Sequence, residues 1–283
     1  MAPPVAPATP PDDALDGDAE RPRPRGLAAD TGQLLIEGVR AFRGLFDVAL
    51  RTVYWSLKGR REKGVVLEQA FEIGNKSVFF LTVTQGFIGM ILVFQSGLQA
   101  RRVVPDLTML GATFLELLVR DLAATLASMM LATRVGAGIA AEIGSMVVTE
   151  QVDALRMCGV DPVDWLVVPR FLASVVMTGV LIFYAGAIAY FAGGATAWAV
   201  FDVQPQTYLN ARLLDIGDVS IGLAKCVAYG AAIPIVSGWC GLSARGGSEG
   251  VGIATTQAVV FSSLAVIILN LVISGVGFVL FPV

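Results

Sequence analysis

RVGAGIAAEIGSMVVTEQVDALRMCGVDP, residues 134–162, is the one extended polar, helix-forming stretch in the second half of the chain. Long apolar segments flank it on both sides. Its place between them decides how the chain is divided, and its charged residues Glu142, Glu150, Asp153 and Arg156 need a reason to be there.

The surrounding composition is that of a membrane protein. Of 283 residues, 55% are hydrophobic and 15% are charged, whereas soluble domains carry about 25% charged residues. Mean hydropathy is +0.71, and apolar runs approach the roughly 20 residues that a helix needs to cross a bilayer. A net charge of −3 gives no electrostatic footprint for nucleic acid. The chain has no histidine, which removes histidine-based triads, histidine metal clusters and HExxH chemistry. Cys158, Cys226 and Cys240 lack metal-ligand spacing and are odd in number, so neither a metal site nor a disulfide framework is expected.

Residues 1–30 are rich in Pro, Ala and Asp and contain no apolar core of a signal peptide. Such a segment buries too little apolar area to offset its ordering entropy, and a disordered tail is expected. Residues 31–63 read differently. Leu35, Val39, Phe42, Phe46, Leu50, Val53 and Leu57 recur every three or four positions, with Arg40, Arg43, Asp47, Arg51 and Lys58 largely elsewhere around the helix. This predicts an amphipathic helix lying in the membrane interface; a soluble helix packed on a partner is the other reading. Lys58, Arg60, Arg61 and Lys63 follow and place this end in the cytoplasm.

Residues 64–283 hold five expected spans: about 77–99, 107–133, 166–200, 219–242 and 256–281. The fold class is therefore an all-α integral membrane protein with an N-terminal interfacial elbow helix, five transmembrane helices and a cytoplasmic helix between the second and third. An odd number of spans leaves the N-terminus inside and the C-terminus outside. The fourth span is expected to break at Gly230 and Pro234. Arg101 and Arg102 fall on the outer side against the charge rule, so either they pair with acidic groups of another subunit or the first span is re-entrant.

Placed on one helix at 100° per residue, Glu142, Met146, Glu150, Asp153 and Met157 share an arc of roughly 80°. Ile143, Val147 and Ala154 continue it as an apolar strip. Carboxylates select a basic groove and methionines conform to irregular pockets, so an acidic, Met-bearing helix at about 139–158 reads as a docking element. An ordinary solvated loop helix fits the same residues.

The same stretch resembles the signature of the MlaE/YrbE permease family, approximately AGRxGxxxxAEIGxMxxTEQxxxLxxMxxDP. Ala132, Arg134, Gly136, Ala141, Glu142, Ile143, Gly144, Met146, Thr149, Glu150, Gln151, Leu155, Asp161 and Pro162 match it. LVRDLAATL resembles the family's LxRELGPxx, with Ala123-Ala124 in place of Gly-Pro, and PRFLA (169–173) and SEGVGIATTQAVVFSSLAV (248–266) are also similar. The resemblance covers roughly residues 35–283 and most resembles the YrbE type of actinobacterial Mce systems. It implies a non-catalytic ABC transporter permease in the inner membrane that moves lipids, fatty acids or sterols, leaning to import. The implied partners are a cytoplasmic ATPase dimer, which binds the ATP, a second YrbE-type chain in a heterodimer, and MCE-domain proteins on the outer face. Arg134, Glu142, Met146, Glu150, Asp153 and Met157 then become the ATPase-coupling residues.

Within the spans, Glu116, Arg120, Asp121 and Lys225 are costly unless they serve a purpose. Glu116 and Arg120, four apart, are placed to pair. These residues either line a polar substrate path or hold the fold, and Lys225 either snorkels to the headgroups or attracts an anionic lipid. GLSARGGSEG, 241–250, lacks the GK[ST] ending of a phosphate loop, so ATP hydrolysis is assigned to another subunit. The competing classes are a membrane-embedded lipid-modifying enzyme, which the lack of histidine weakens, and a structural scaffold of an envelope complex. No cofactor or metal is expected.

Overall fold

The computed structural model describes residues 27–59, 63–103, 108–210 and 213–280, so most of the expected tail, Arg60, Arg61 and Arg212 lie outside the described residues. Every regular element among the described residues is helical. The chain divides at Arg43/Gly44, inside the first helix, α1 (Leu27–Lys58). α1 therefore starts four residues inside the segment expected as a tail. From Gly44 onward this helix is docked. Leu45 packs beside Ala140, Val236, Cys240 and Ala258, and Val48 and Thr52 are buried.

α2 (Lys63–Val103) is one continuous helix, not a re-entrant hairpin. Its apolar half is extended at the N-terminal end by a polar half from 63 to 76 that the hydropathy of 77–99 does not reveal. The next stretch runs through α3 (Leu110–Leu117), α4 (Ala123–Leu131) and α5 (Ala137–Val148), joined by π turns at Leu118–Leu122 and Ala132–Gly136. The caps at both junctions stay in the right-handed helical region, so 110–148 is a single helix with two wide turns. π turns of this kind insert an extra residue and re-aim side chains. α6 (Gln151–Met157) follows, then a π turn at Val163–Val167, α7 (Val168–Phe201), short α8 (Pro205–Tyr208), α9 (Ile216–Leu242) and α10 (Gly247–Leu280).

Among the described residues, four helical segments are long and apolar enough to cross a membrane: Gly64–Arg102, Val163–Phe201, Ile216–Leu242 and Gly247–Leu280. The expected second span, 107–133, is helical from Leu110 but is not in this set; Glu116, Arg120 and Asp121 make its first part polar.

Glycines determine which helices touch. Gly74 meets Met177, a Cβ on Gly89 would fall onto the Ala189 carbonyl, and Gly193 meets Val93, so α2 and α7 run parallel in close contact. Gly222 meets Val119, Gly136 meets Ser237 and Gly241 meets Ile143, which sets α9 parallel to α3–α5. Small residues permit this approach where lipid gives no hydrophobic force between helices. Gly277 against Ile221 and the Ser237–Ser262 contact at 3.3 Å lay α10 antiparallel on α9. Gly275 faces open space, so of the Gly275-x-Gly277 pair only Gly277 packs.

α9 is the central helix, with 50% of its apolar window buried against 11% for α10. It runs unbroken through Pro234, contrary to the expected break. The proline ring threatens the carbonyl four residues back. That residue is Gly230, which packs directly on the α7 backbone at Ser174 and Val175. Arg101 is also accounted for inside the chain: it donates to the Phe201 carbonyl at 3.4 Å and sits 4.8 Å over the Phe201 ring, closing the end of α7.

Candidate functional site

The sequence-predicted helix at 139–158 is two helices. α5 stops at Val148, where Thr149 folds its hydroxyl back to the Ser145 carbonyl at 2.8 Å. Glu150 then adopts a left-handed conformation (φ 61°) and its carbonyl starts α6, accepting from Ala154 at 3.0 Å. Competition for backbone hydrogen bonds by Ser145 and Thr149 ends the first helix; the apolar spacing alone hides it. α6 ends on Gly159 (φ 76°), with Val160 donating to Leu155 and Gly159 to Arg156, a Schellman closure.

The single acidic ridge is therefore not formed. Glu142, 44% exposed, accepts from the buried Arg170 at 2.6 Å. Met146 is half-buried against the core. Arg134 lies away from the turn, its guanidinium donating to the Ser77 hydroxyl on α2 at 2.5 Å. What projects at the turn is Glu150, Asp153 with its exposed partner Arg156 at 2.9 Å, and Met157, 90% exposed. Val152, buried, pegs α6 to the body of the protein. The Arg170–Glu142 pair joins α5 to the first turn of α7, so the turn is fixed at both of its roots.

The second cluster lies along α3–α5 and α9. Arg120 and Asp121 sit in the first π turn, pointing different ways, and each finds its partner on α9. Arg120 reaches Asp218 at 3.3 Å, and Lys225 donates to Asp121 at 2.5 Å. The expected Glu116–Arg120 pair does not form; among the described residues Glu116, half-buried, makes no ion pair. Lys225 neither snorkels nor faces lipid, since it is fully enclosed. Thr125 adds a hydroxyl to Asp121 at 3.3 Å, and further along Tyr229 donates to Asn270 on α10 at 3.0 Å. Asp218 also belongs to the N-terminal capping box of α9 with Asp215.

Two residues escaped the sequence reading: Arg170 and Asp218. Both had a signal, because a charge in an apolar chain must find a partner. Helical spacing pointed only to partners within one helix, whereas these lie across helices.

Comparison with known proteins agrees with this architecture. The MlaE permease family, "Permease MlaE", matches residues 66–276. A probable ABC transporter permease protein of Synechocystis is 36% identical over 78% of this chain and 85% of its own length. One from Rickettsia bellii is 36% identical over 89% and 93%, respectively. A chloroplast protein of Arabidopsis thaliana, TRIGALACTOSYLDIACYLGLYCEROL 1, is 30% identical over 82% of this chain and 66% of its own length.

Proposed function

The chain belongs to the MlaE permease family and is an ABC transporter permease of the membrane, and from that premise we propose that it moves lipids across the inner membrane under the drive of a separate ATPase. A relative named for trigalactosyldiacylglycerol, a glycerolipid, supports a lipid cargo. With the helix 110–148 as the fifth crossing the two ends lie on opposite sides, and the basic residues Lys58, Arg60, Arg61 and Lys63 favour a cytoplasmic N-terminus. A second permease chain of the same kind, in a heterodimer, completes the lipid path. MCE-domain proteins on the outer face receive or deliver the lipid, with import as the favoured direction.

The observation that carries the drive is the α5–α6 turn. Its exposed face, Glu150, Asp153 and Met157, is offered to a partner, while Val152 and the Glu142–Arg170 pair bind its roots to the bundle. Pressure on α6 passes along α5 and α4 to Arg120 and Asp121, about 40 Å away at 1.5 Å per residue. There the two cross-helix pairs register any sliding of α3–α5 against α9.

The test is co-purification followed by transfer of labelled lipid between vesicles. Asp153→Arg should leave the chain in the membrane and remove the ATPase from it. An unchanged ATPase yield would overturn the docking role. Purified complexes without bound lipid and inactive in transfer would overturn the cargo.

A further inference from the structure

The turn between α9 and α10, ARGGSE at 244–249, takes no part in the ion pairs or the docking turn described above. It is nevertheless fixed in shape. The Ser243 hydroxyl donates back to the Trp239 carbonyl at 2.8 Å where α9 ends, and Ala244 is buried. Gly246 and Gly247 both take a left-handed backbone (φ 86° and 76°), which reverses the chain within two residues at a cost that only glycine escapes. Gly250 then lies so close to the Arg245 carbonyl that a Cβ there would clash with it. Arg245, Gly246, Ser248 and Glu249 are left exposed on a turn without slack.

Three observations point to what this turn meets. First, it stands beside the α5–α6 turn. A Cβ on Gly144, one helical turn before the end of α5 at Val148, would sit 3.4 Å from Ala244 and 3.5 Å from Val251. The two turns therefore project from the same end of the bundle, on helices whose axes pack about 8–10 Å apart. Second, α10 is longer than the bilayer needs. Its 34 residues span about 51 Å at 1.5 Å per residue, against an apolar bilayer core of about 30 Å. The surplus is at this end, where Ser248, Glu249, Thr255, Thr256 and Gln257 precede the apolar run from Ala258. Third, the charges on the turn are uncommitted. Among the described residues neither Arg245 nor Glu249 makes an ion pair or a side-chain hydrogen bond, whereas Arg156 is held by Asp153 and Arg51 by Asp47. An anionic lipid surface is a poor match for a turn that carries Glu249 beside its arginine.

We propose that the 244–249 turn is a second foot on the ATPase, in which Arg245 docks against a carboxylate of that subunit. This rests on the docking role of the α5–α6 turn. The two feet carry opposite signs. Glu150 at the first selects a basic groove, and Arg245 at the second selects an acidic spot beside it. Two points of opposite charge fix the orientation of the ATPase as well as its attachment, and they repel a subunit with the reverse pattern. A turn already held in shape loses little freedom on binding.

The test is site-specific photocrosslinking in membranes that hold the full chain assembled with its ATPase, with benzoylphenylalanine in place of Met157 in one variant and of Ser248 in another. Both should crosslink the ATPase, at different peptides, and the Ser248 product should map next to an Asp or Glu. Arg245→Glu should lower ATPase recovery about tenfold at low salt, since it turns one exposed attraction into a repulsion. The melting temperature of the isolated chain should not change. Reversing the mapped carboxylate to Arg on the ATPase should restore recovery. ATPase crosslinks from Met157 with none from Ser248 would overturn the second foot and leave the first standing. Ser248 crosslinks confined to lipid or to a second permease chain would also overturn it, as would full ATPase recovery with Arg245→Glu. No ATPase crosslink from either position would overturn the docking of both turns.

Discussion

Lys225 and Asp121 are unequal partners, and that inequality is measurable. The lysine side chain is 0% exposed and the aspartate 37%. Asp121→Ala strands an enclosed ammonium, and removing one member of a buried pair costs about 3–5 kcal/mol. Lys225→Met instead leaves a carboxylate with an open side and the Thr125 hydroxyl still donating to it, for a loss of about 1–2 kcal/mol. The double variant leaves no stranded charge and should lie within about 1–2 kcal/mol of the native protein. Thermal denaturation in detergent should therefore rank the melting temperatures native, double, Lys225→Met, Asp121→Ala, the last roughly 10 °C below native at about 2–4 °C per kcal/mol. Equal losses for the two single variants, or a double variant equal to their sum, would refute the enclosure of Lys225 on which this ranking rests.

Gly89→Ala drives a Cβ into the Ala189 carbonyl and should cost about 1–3 kcal/mol, whereas Gly275→Ala, facing open space in α10, should stabilise by about 0.5–1 kcal/mol; chemical denaturation of both separates packing from propensity. At position 150 the usual helix ranking should invert: Glu150→Gly should exceed Glu150→Ala in stability by about 1 kcal/mol, because the backbone there is left-handed. Glu142→Gln strands the enclosed Arg170 guanidinium and should cost about 2–3 kcal/mol, while Asp153→Ala breaks a pair exposed on both sides and should cost less than about 0.5 kcal/mol; parallel melts of the two variants check the contrast.

Local rules in the sequence reached the helical class, the positions of four long apolar helices and the amphipathic α1, since each follows from apolar periodicity or run length. They failed where neighbours decide. The apolar spacing from Ile143 to Ala154 is compatible with one helix, and only the hydroxyls of Ser145 and Thr149 and the left-handed Glu150 turn it into two. The break expected at Gly230 and Pro234 does not occur: Gly230 packs on the α7 backbone and α9 continues through both residues. Lys225, near the start of an apolar helix, reads as a residue that snorkels; enclosure by α3–α5 is a tertiary fact. The matching motif residues were legible, but their roles divided once folded: Glu142 went to Arg170, Arg134 to Ser77, and Glu150, Asp153 and Met157 stayed exposed at the turn.

The two pairs between α3–α5 and α9 also explain why this chain keeps charges that apolar residues could replace. Small-residue contacts such as Gly222 on Val119 and Gly241 on Ile143 allow close approach but discriminate weakly between registers, because a slip of one turn finds other small or apolar side chains. Arg120 and Asp121 are adjacent, and their partners Asp218 and Lys225 are seven residues apart, two turns along one face of α9. A one-turn slip would part Arg120 from Asp218 and the enclosed Lys225 from Asp121, at a cost far above that of a misplaced methyl group. The π turn matters here, since it carries both charges and so lets one short segment reach two levels of α9. The same strictness that fixes the resting register makes these pairs the element on which a sliding movement of α3–α5 would be felt first.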